Sequence, residues 1–194
     1  MERIEKQMQF ILEIDKEKQI KRKTLQSNGK DFEDDAQHAW HMAIMTLLLS
    51  EYSNEKIDVL KTISMLLIHD LVEIDAGDTY AYDDQGLKVQ NERENLAANR
   101  IFNLLPEDQA KKVFDLWNEF EERKTPEAKF ARVMDNFQPV LLNAVTDGRM
   151  WAENGVHLEK ILKRNEKTHE GDSGNLKITN LDRLIFTKNG EFTI

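Results

Sequence analysis

Apolar residues recur at helical spacing through most of the chain, and the polar breaks between them are short. Met8, Ile11 and Leu12, with Phe10 and Ile14, predict an amphipathic helix over about residues 2–19. Turn residues at 26–30 predict a loop. Asp34 or Asp35 caps a second helix, which runs to about Tyr52 with Ala39, Met42, Ala43, Ile44, Leu47 and Leu48 as its apolar members. Ser53, Asn54 and Glu55 open a third, which holds His69-Asp70; Asp75 to Thr79 leave it for an acidic, Gly-containing loop that continues to about Gly86. Further helices are expected over 91–105 and beyond Pro106, where Val113, Leu116, Trp117 and Phe120 form the inward side. Thr125 and Pro126 mark another helix start, followed by Phe130, Val133, Met134, Phe137 and Leu141; Pro139 should kink or shorten that helix. Asn154-Gly155 precedes a last helix over 156–164. Residues 166–180 read as polar and irregular, and Asn189-Gly190 between two β-prone runs signals a short terminal hairpin over 184–194. The class is therefore all-α: a helical core over 1–165 and a polar C-terminal extension over 166–194 that packs on it or trails from it.

The third helix carries an anomaly. Its apolar run holds His69-Asp70, and helical geometry places Glu73 on the same face. Ionisable groups buried without partners cost several kcal/mol, roughly. A divalent cation would offset that cost, since imidazole and carboxylate are ordinary ligands for one. Adjacent helices joined by a short turn pack antiparallel, which brings His38 or His41, near the start of the second helix, towards His69-Asp70. Asp135, beside Met134 and near Phe137, also needs a reason to lie on an apolar helix. Asp78, beyond Gly77, reads equally as a residue at the mouth of a pocket or as a turn aspartate. The basic cluster 16–24 reads as a solvated helix end or, through Arg22, as a phosphate contact.

Composition narrows the function classes. The 194 residues carry a formal net charge of −9, which argues against a nucleic-acid polymer or an anionic membrane as partner. No apolar run reaches the roughly 18 residues of a membrane span. Cysteine is absent, which excludes disulfides, a thiolate nucleophile and Cys-type zinc sites, and suits a cytoplasmic setting.

The order His38, His69-Asp70, Asp135 resembles the ligand series of the HD-domain metal-dependent phosphohydrolases. The likeness is closest to the 5′-deoxynucleotidase branch. Arg22 with Thr24, the segment Glu33 to His38 with Ala36, then Trp40, His69-Asp70 with Glu73, Gly77-Asp78, Lys88 with Glu92-Arg93-Glu94, the segment 116–121 and the segment 125–129 leading to Asp135 all follow that branch. Two positions depart from it. Gln37 stands where an acid usually precedes the first histidine, and Leu25-Gln26 stands near the place of a glycine-tryptophan pair. The resemblance implies His38, His69, Asp70 and Asp135 as ligands of one divalent ion (Mn, Co, Mg or Fe), with His41 in a structural or supporting position. It implies hydrolysis of nucleoside 5′-monophosphates and a homodimer. Glu73 is then expected to hold the attacking water or handle its proton, and Asp78 to orient that water or protonate the leaving 5′-oxygen. Arg22 would clamp the phosphate, with Lys88 as a second candidate. Hydrolysis of another phosphate ester (a dNTP or a cyclic nucleotide) and a non-catalytic, metal-stabilised nucleotide sensor are the alternatives.

Overall fold

Helix α1 (Arg3–Ile14) opens on a reciprocal capping box between Glu2 and Glu5 and tightens into a 3-10 turn over Asp15–Gln19. The computed structural model of the protein describes residues 2–83 and 85–171. The basic cluster then leaves the helix. Lys21–Leu25 (β1) pairs antiparallel with Phe32–Asp34 (β2), Lys21 opposite Asp34 and Leu25 opposite Phe32. The loop expected at 26–30 is thus a hairpin connection, closed by the Gln26 N–H on the Asp31 carbonyl (2.9 Å) and by Gly29 at φ +66°. Strand geometry alternates side chains: Lys21 and Lys23 stay exposed while Arg22 between them turns inward.

β2 leads directly into α2 (Asp35–Leu49), and the cap is Asp34, whose carboxylate accepts from the Gln37 N–H at 2.9 Å. Gln37 returns the contact, its Oε1 accepting from the Asp34 N–H and from Gln26 Nε2 (both 3.1 Å). α3 (Val59–Ile68) starts at an Asp58 cap, five residues beyond the predicted opening at 53. It ends at Ile68, just short of the His69-Asp70 pair expected on it. At His69–Val72 the backbone winds to 3-10, then gives one short α-helical turn, α4 (Glu73–Ala76), ended by Gly77 at φ +74°. Residues three apart eclipse in a 3-10 turn, so Asp70 and Glu73 line up more closely than an α-helix would place them.

The remaining helices are α5 (Gly86–Phe102), which starts earlier than expected, α6 (Glu107–Glu122) with Pro106 just ahead of it, α7 (Pro126–Val145), α8 (Arg149–Glu153) and α9 (Leu158–Asn165). α7 opens as predicted, with the Thr125 hydroxyl on the Ala128 N–H and proline at its first position. It is not shortened at Pro139. The missing N–H there removes the hydrogen bond that the Asp135 carbonyl would otherwise accept within the helix. A 3-10 turn at Thr168–Glu170 follows α9, and Gly171 lies so close to α7 that a Cβ would meet the Lys129 carbonyl oxygen at 2.7 Å. The predicted terminal hairpin at 184–194 lies outside the described residues.

Two apolar clusters hold these elements. Met42, Met65, Leu66, Phe120, Phe130 and Met134 join α2, α3, α6 and α7 in one. Phe10, Leu71, Val72, Ile101, Phe102 and Trp117 join α1, the 3-10 turn, α5 and α6 in the other. Leu66 belongs to the first and Leu71 to the second, so His69-Asp70 sits on the seam between them. Each fully buried large side chain contributes about 1.5–3 kcal/mol, which fixes the turn between two rigid bodies.

Candidate metal centre

Three elements deliver the site. The first turn of α2 carries His38, the 3-10 turn carries His69 and Asp70, and the middle of α7 carries Asp135. His38 Nε2 lies 3.2 Å from Asp135 Oδ1, His69 Nε2 lies 3.8 Å from that same oxygen, and Asp70 Oδ1 lies 3.0 Å from His69 Nε2. His38, His69 and Asp135 each offer a ligand atom within 4.8 Å of the others. All three are buried.

The surroundings fix which ring nitrogen carries the proton. His69 Nδ1 is 2.9 Å from the Leu66 carbonyl, which can only accept, so Nδ1 donates and Nε2 is a bare lone pair in the neutral ring. The same logic runs through two residues at His38. Glu33 Oε1 accepts from Gln138 Nε2 at 2.5 Å, so the Gln138 amide turns its oxygen to His38 Nδ1 at 2.8 Å. That nitrogen donates, and His38 Nε2 faces Asp135 without a proton. His41 Nδ1, 3.1 Å from Gln138 Nε2, accepts from the same amide. Two imidazole lone pairs thus converge with the oxygens of Asp70 and Asp135. His69 Nε2 has no hydrogen-bond donor, although it is buried. Facing acceptors repel unless a cation lies among them, and two imidazoles with two carboxylates form a fitting donor set for a divalent ion.

Electrostatics report the same demand. Burial alone would hold His69 down, but Asp70 and Asp135 outweigh it and push the ring well above its ordinary value. Burial, aided by Arg22, lowers His38 to about 4. Burial opposes charge on Asp70, yet His69 and Arg22 bring it to about 2; burial likewise opposes charge on Asp135, and Arg132 with the two histidines brings it well below the usual range.

A second group of acids lies beside the first. Asp35, Asp70 and Glu73 also bring ligand atoms within 4.8 Å of one another. Here a cation is already built in: Arg22 Nη1 is 3.1 Å from both Asp35 Oδ1 and Asp70 Oδ2, and Arg22 Nε faces Glu33 Oε2 at 3.6 Å. Burial, with Asp70 and Asp35, raises Glu73 well above its ordinary value, and burial with Asp70 lifts Asp35 to about 7. Asp35 Oδ2 and Glu73 Oε2 are both buried without a donor. Burial among like charges thus favours the protonated form of both carboxyls.

The groups open on a cavity of about 380 Å³ whose wall includes Arg22, His69, Asp70, Glu73, Asp78 and Asp135. Burial raises Asp78 as well. Lys88 is not brought to this wall; its ammonium is exposed and lies 3.3 Å from Gln85 on its own helix. Arg22 does reach this wall, where three carboxylates engage its guanidinium. In the sequence Asp35 reads only as a possible cap and Glu33 only as part of the segment before His38, and Gln138 and Arg132 are not singled out. Asp35 stands three residues before His38, and Arg132 and Gln138 stand three before and three after Asp135, so the i,i+3 neighbours of each ligand carried the signal.

The HD domain family model matches residues 14–177. The human 5′-deoxynucleotidase HDDC2 is 30% identical over 104 residues, 54% of this chain and 50% of that protein. The Dictyostelium discoideum 5′-deoxynucleotidase HDDC2 is 31% identical over 140 residues, 69% of this chain and 74% of that protein. The crystal structure of a predicted metal-dependent phosphohydrolase from Magnetospirillum magnetotacticum MS-1 is 41% identical, covers 93% of both chains and superposes with a TM-score of 0.86. The matched stretch spans about half the length of the human, bovine and mouse relatives. On its motif order, its fold and the extent of the family match, this chain belongs to the HD domain family.

Proposed function

We propose that the chain hydrolyses nucleoside 5′-monophosphates, 2′-deoxynucleotides among them, to nucleoside and inorganic phosphate. One divalent cation of the Mn, Co, Mg or Fe kind would be held by His38, His69, Asp70 and Asp135. The observation that carries this reading is the pair of imidazole Nε2 atoms turned towards the Asp70 and Asp135 carboxylates. The relatives' names support the substrate class. So do the aromatic side chains of Tyr80, Tyr82 and Trp151 in the cavity wall, which offer faces to a nucleobase.

Such an ion, when bound, activates water and neutralises charge on the phosphoryl oxygens. Glu73, in the cavity wall beside Asp70, orients the attacking water and takes its proton. Asp78 stands where Gly77 turns the chain out of α4, and burial shifts it towards its protonated form. It delivers that proton to the 5′-oxygen as the phosphorus–oxygen bond breaks. Arg22 holds Asp70 and Asp35 in position. A homodimer fits the exposed apolar row Trp40, Ile44, Leu47 and Leu48 on α2, and light scattering on the purified chain tests it.

The enzymatic test is phosphate release from a panel of deoxy- and ribonucleoside monophosphates with Mn or Co. Glu73→Ala should retain metal and lose roughly hundredfold or more in turnover. Normal turnover in that variant removes the water-handling role. Nucleotide binding without phosphate release from the wild type would favour the sensor reading.

A further inference from the structure

The cavity wall holds five cationic side chains, Arg22, Lys23, Arg123, Arg132 and Arg164, and three of them already have partners. Arg22 is ringed by Asp35, Asp70 and Glu33. Arg132 Nη1 bonds Asp135 Oδ2 at 2.7 Å. Lys23 sits 4.9 Å above the Tyr80 ring. Arg123 stands exposed at the left-handed C-cap of α6, where water solvates its charge.

Arg164 differs. It is half-buried in the last turn of α9, and among the described residues no carboxylate or carbonyl oxygen lies within bonding distance of it. Burial and the neighbouring Arg132 guanidinium both act against its charge; Asp135, the carboxylate that favours it, is bonded to Arg132 and His38. The position is rigid: Ile161 of the same helix is buried in the first apolar cluster, and Asn165 Nδ2 is bonded to the Ile161 carbonyl at 2.9 Å. A fixed guanidinium beside a second guanidinium, facing a cavity and lacking an acceptor, is an arrangement that an anion completes.

We propose that Arg164 receives the phosphate of the substrate, a phosphomonoester dianion, with Arg132 behind it. Arg22, the cation nearest the HD pair, positions Asp70 and Asp35 instead. This assignment rests on the phosphohydrolase reading for the identity of the anion, and on the cavity alone for its location. A dianion approaching Arg22 meets three carboxylates around one cation. A dianion approaching Arg164 meets two guanidinium groups and one carboxylate.

The test is calorimetric titration of inorganic phosphate into the metal-loaded protein, alongside kcat and KM for a nucleoside monophosphate, for the wild type, Arg164→Ala, Arg164→Gln and Arg164→Lys. Losing a charge-assisted hydrogen bond should weaken phosphate binding and raise KM roughly tenfold to hundredfold in Arg164→Ala and Arg164→Gln, with metal content unchanged. Arg164→Lys should recover part of the loss, since it keeps the charge and loses the planar fork. If the alanine variant does not fold, the glutamine and lysine variants carry the comparison. Phosphate affinity within twofold of wild type in Arg164→Gln, or no phosphate binding by the wild type, overturns the assignment. A wild type that binds phosphate through Arg164 yet releases none from any nucleotide would sink the hydrolase reading and leave the anion site standing.

Discussion

Two clusters of acids lie side by side in this protein, and they solve the same electrostatic problem in opposite ways. Around Arg22, the carboxylates of Asp35, Asp70 and Glu33 surround a guanidinium fixed to the chain, and burial favours the protonated forms of Asp35 and Glu73. Around His69, the Nδ1 atoms of the two rings are tied to the Leu66 carbonyl and to Gln138, which leaves both Nε2 atoms facing the carboxylates. The first cluster carries its own cation, whereas the second is wired to need one from solution. Asp70 belongs to both, with Oδ1 on His69 and Oδ2 on Arg22. A count of acids would treat the clusters alike. What separates them is which neighbouring groups can donate.

The largest effect should come from removing the built-in cation. Arg22→Gln leaves buried carboxylates unpaired, and breaking a buried pair in this way costs about 3–5 kcal/mol. Urea unfolding should show that loss, while Lys21→Gln on the exposed side of the same strand should cost under about 1 kcal/mol. Equal costs would mean that the two clusters do not differ as described.

Next is the wiring of the other cluster. Gln138→Leu removes the acceptor that fixes the His38 proton and should weaken metal affinity roughly tenfold to hundredfold without touching a ligand. Titration with Mn reads this directly. An unchanged affinity would show that His38 needs no such orientation.

The smallest effect probes the rim of both. Glu17 is buried beneath Asp70 and Asp35, its Oε1 has no donor, and burial, reinforced by those two acids, pushes it to about 8. The folded state therefore keeps a proton that the unfolded chain releases near the ordinary glutamate value. Stability from this group is full below that value and is lost as pH rises towards about 8. Glu17→Gln should accordingly raise the unfolding midpoint relative to wild type at pH 9 and change it little at pH 4. Parallel midpoints across that range would remove Glu17 from the account.

Much of this was legible before any coordinates. The caps and proline that open α7, the breaks between helices and the spacing of His38, His69-Asp70 and Asp135 are local or ordered features, and the structure brings those four residues together. Other features depended on tertiary context. Lys21 to Leu25 shows no clean apolar alternation, so nothing local marks it as a strand, yet pairing with β2 is what turns Arg22 inward. The run through His69 contains no helix breaker, and its winding changes where two apolar clusters meet. Asp34 and Asp35 are equally good caps on paper. Once Asp34 takes that place, Asp35 is carried into the site. The Gln37 departure proves to belong to the hairpin side of α2, where it closes the cap with Asp34. Arg164 reads as an ordinary basic residue near a helix end, and only the cavity gives it a second reading.

The central claim is that four side chains form a socket for one divalent ion. Calorimetric titration of Mn into chelator-treated wild type and Asp135→Asn tests it most directly. The account predicts one ion per wild-type chain, bound more tightly as pH rises because the ion displaces the proton that the carboxylates hold on His69, and affinity lower by roughly hundredfold or more in the variant. Absence of saturable binding to the wild type, or equal binding by Asp135→Asn, would contradict it.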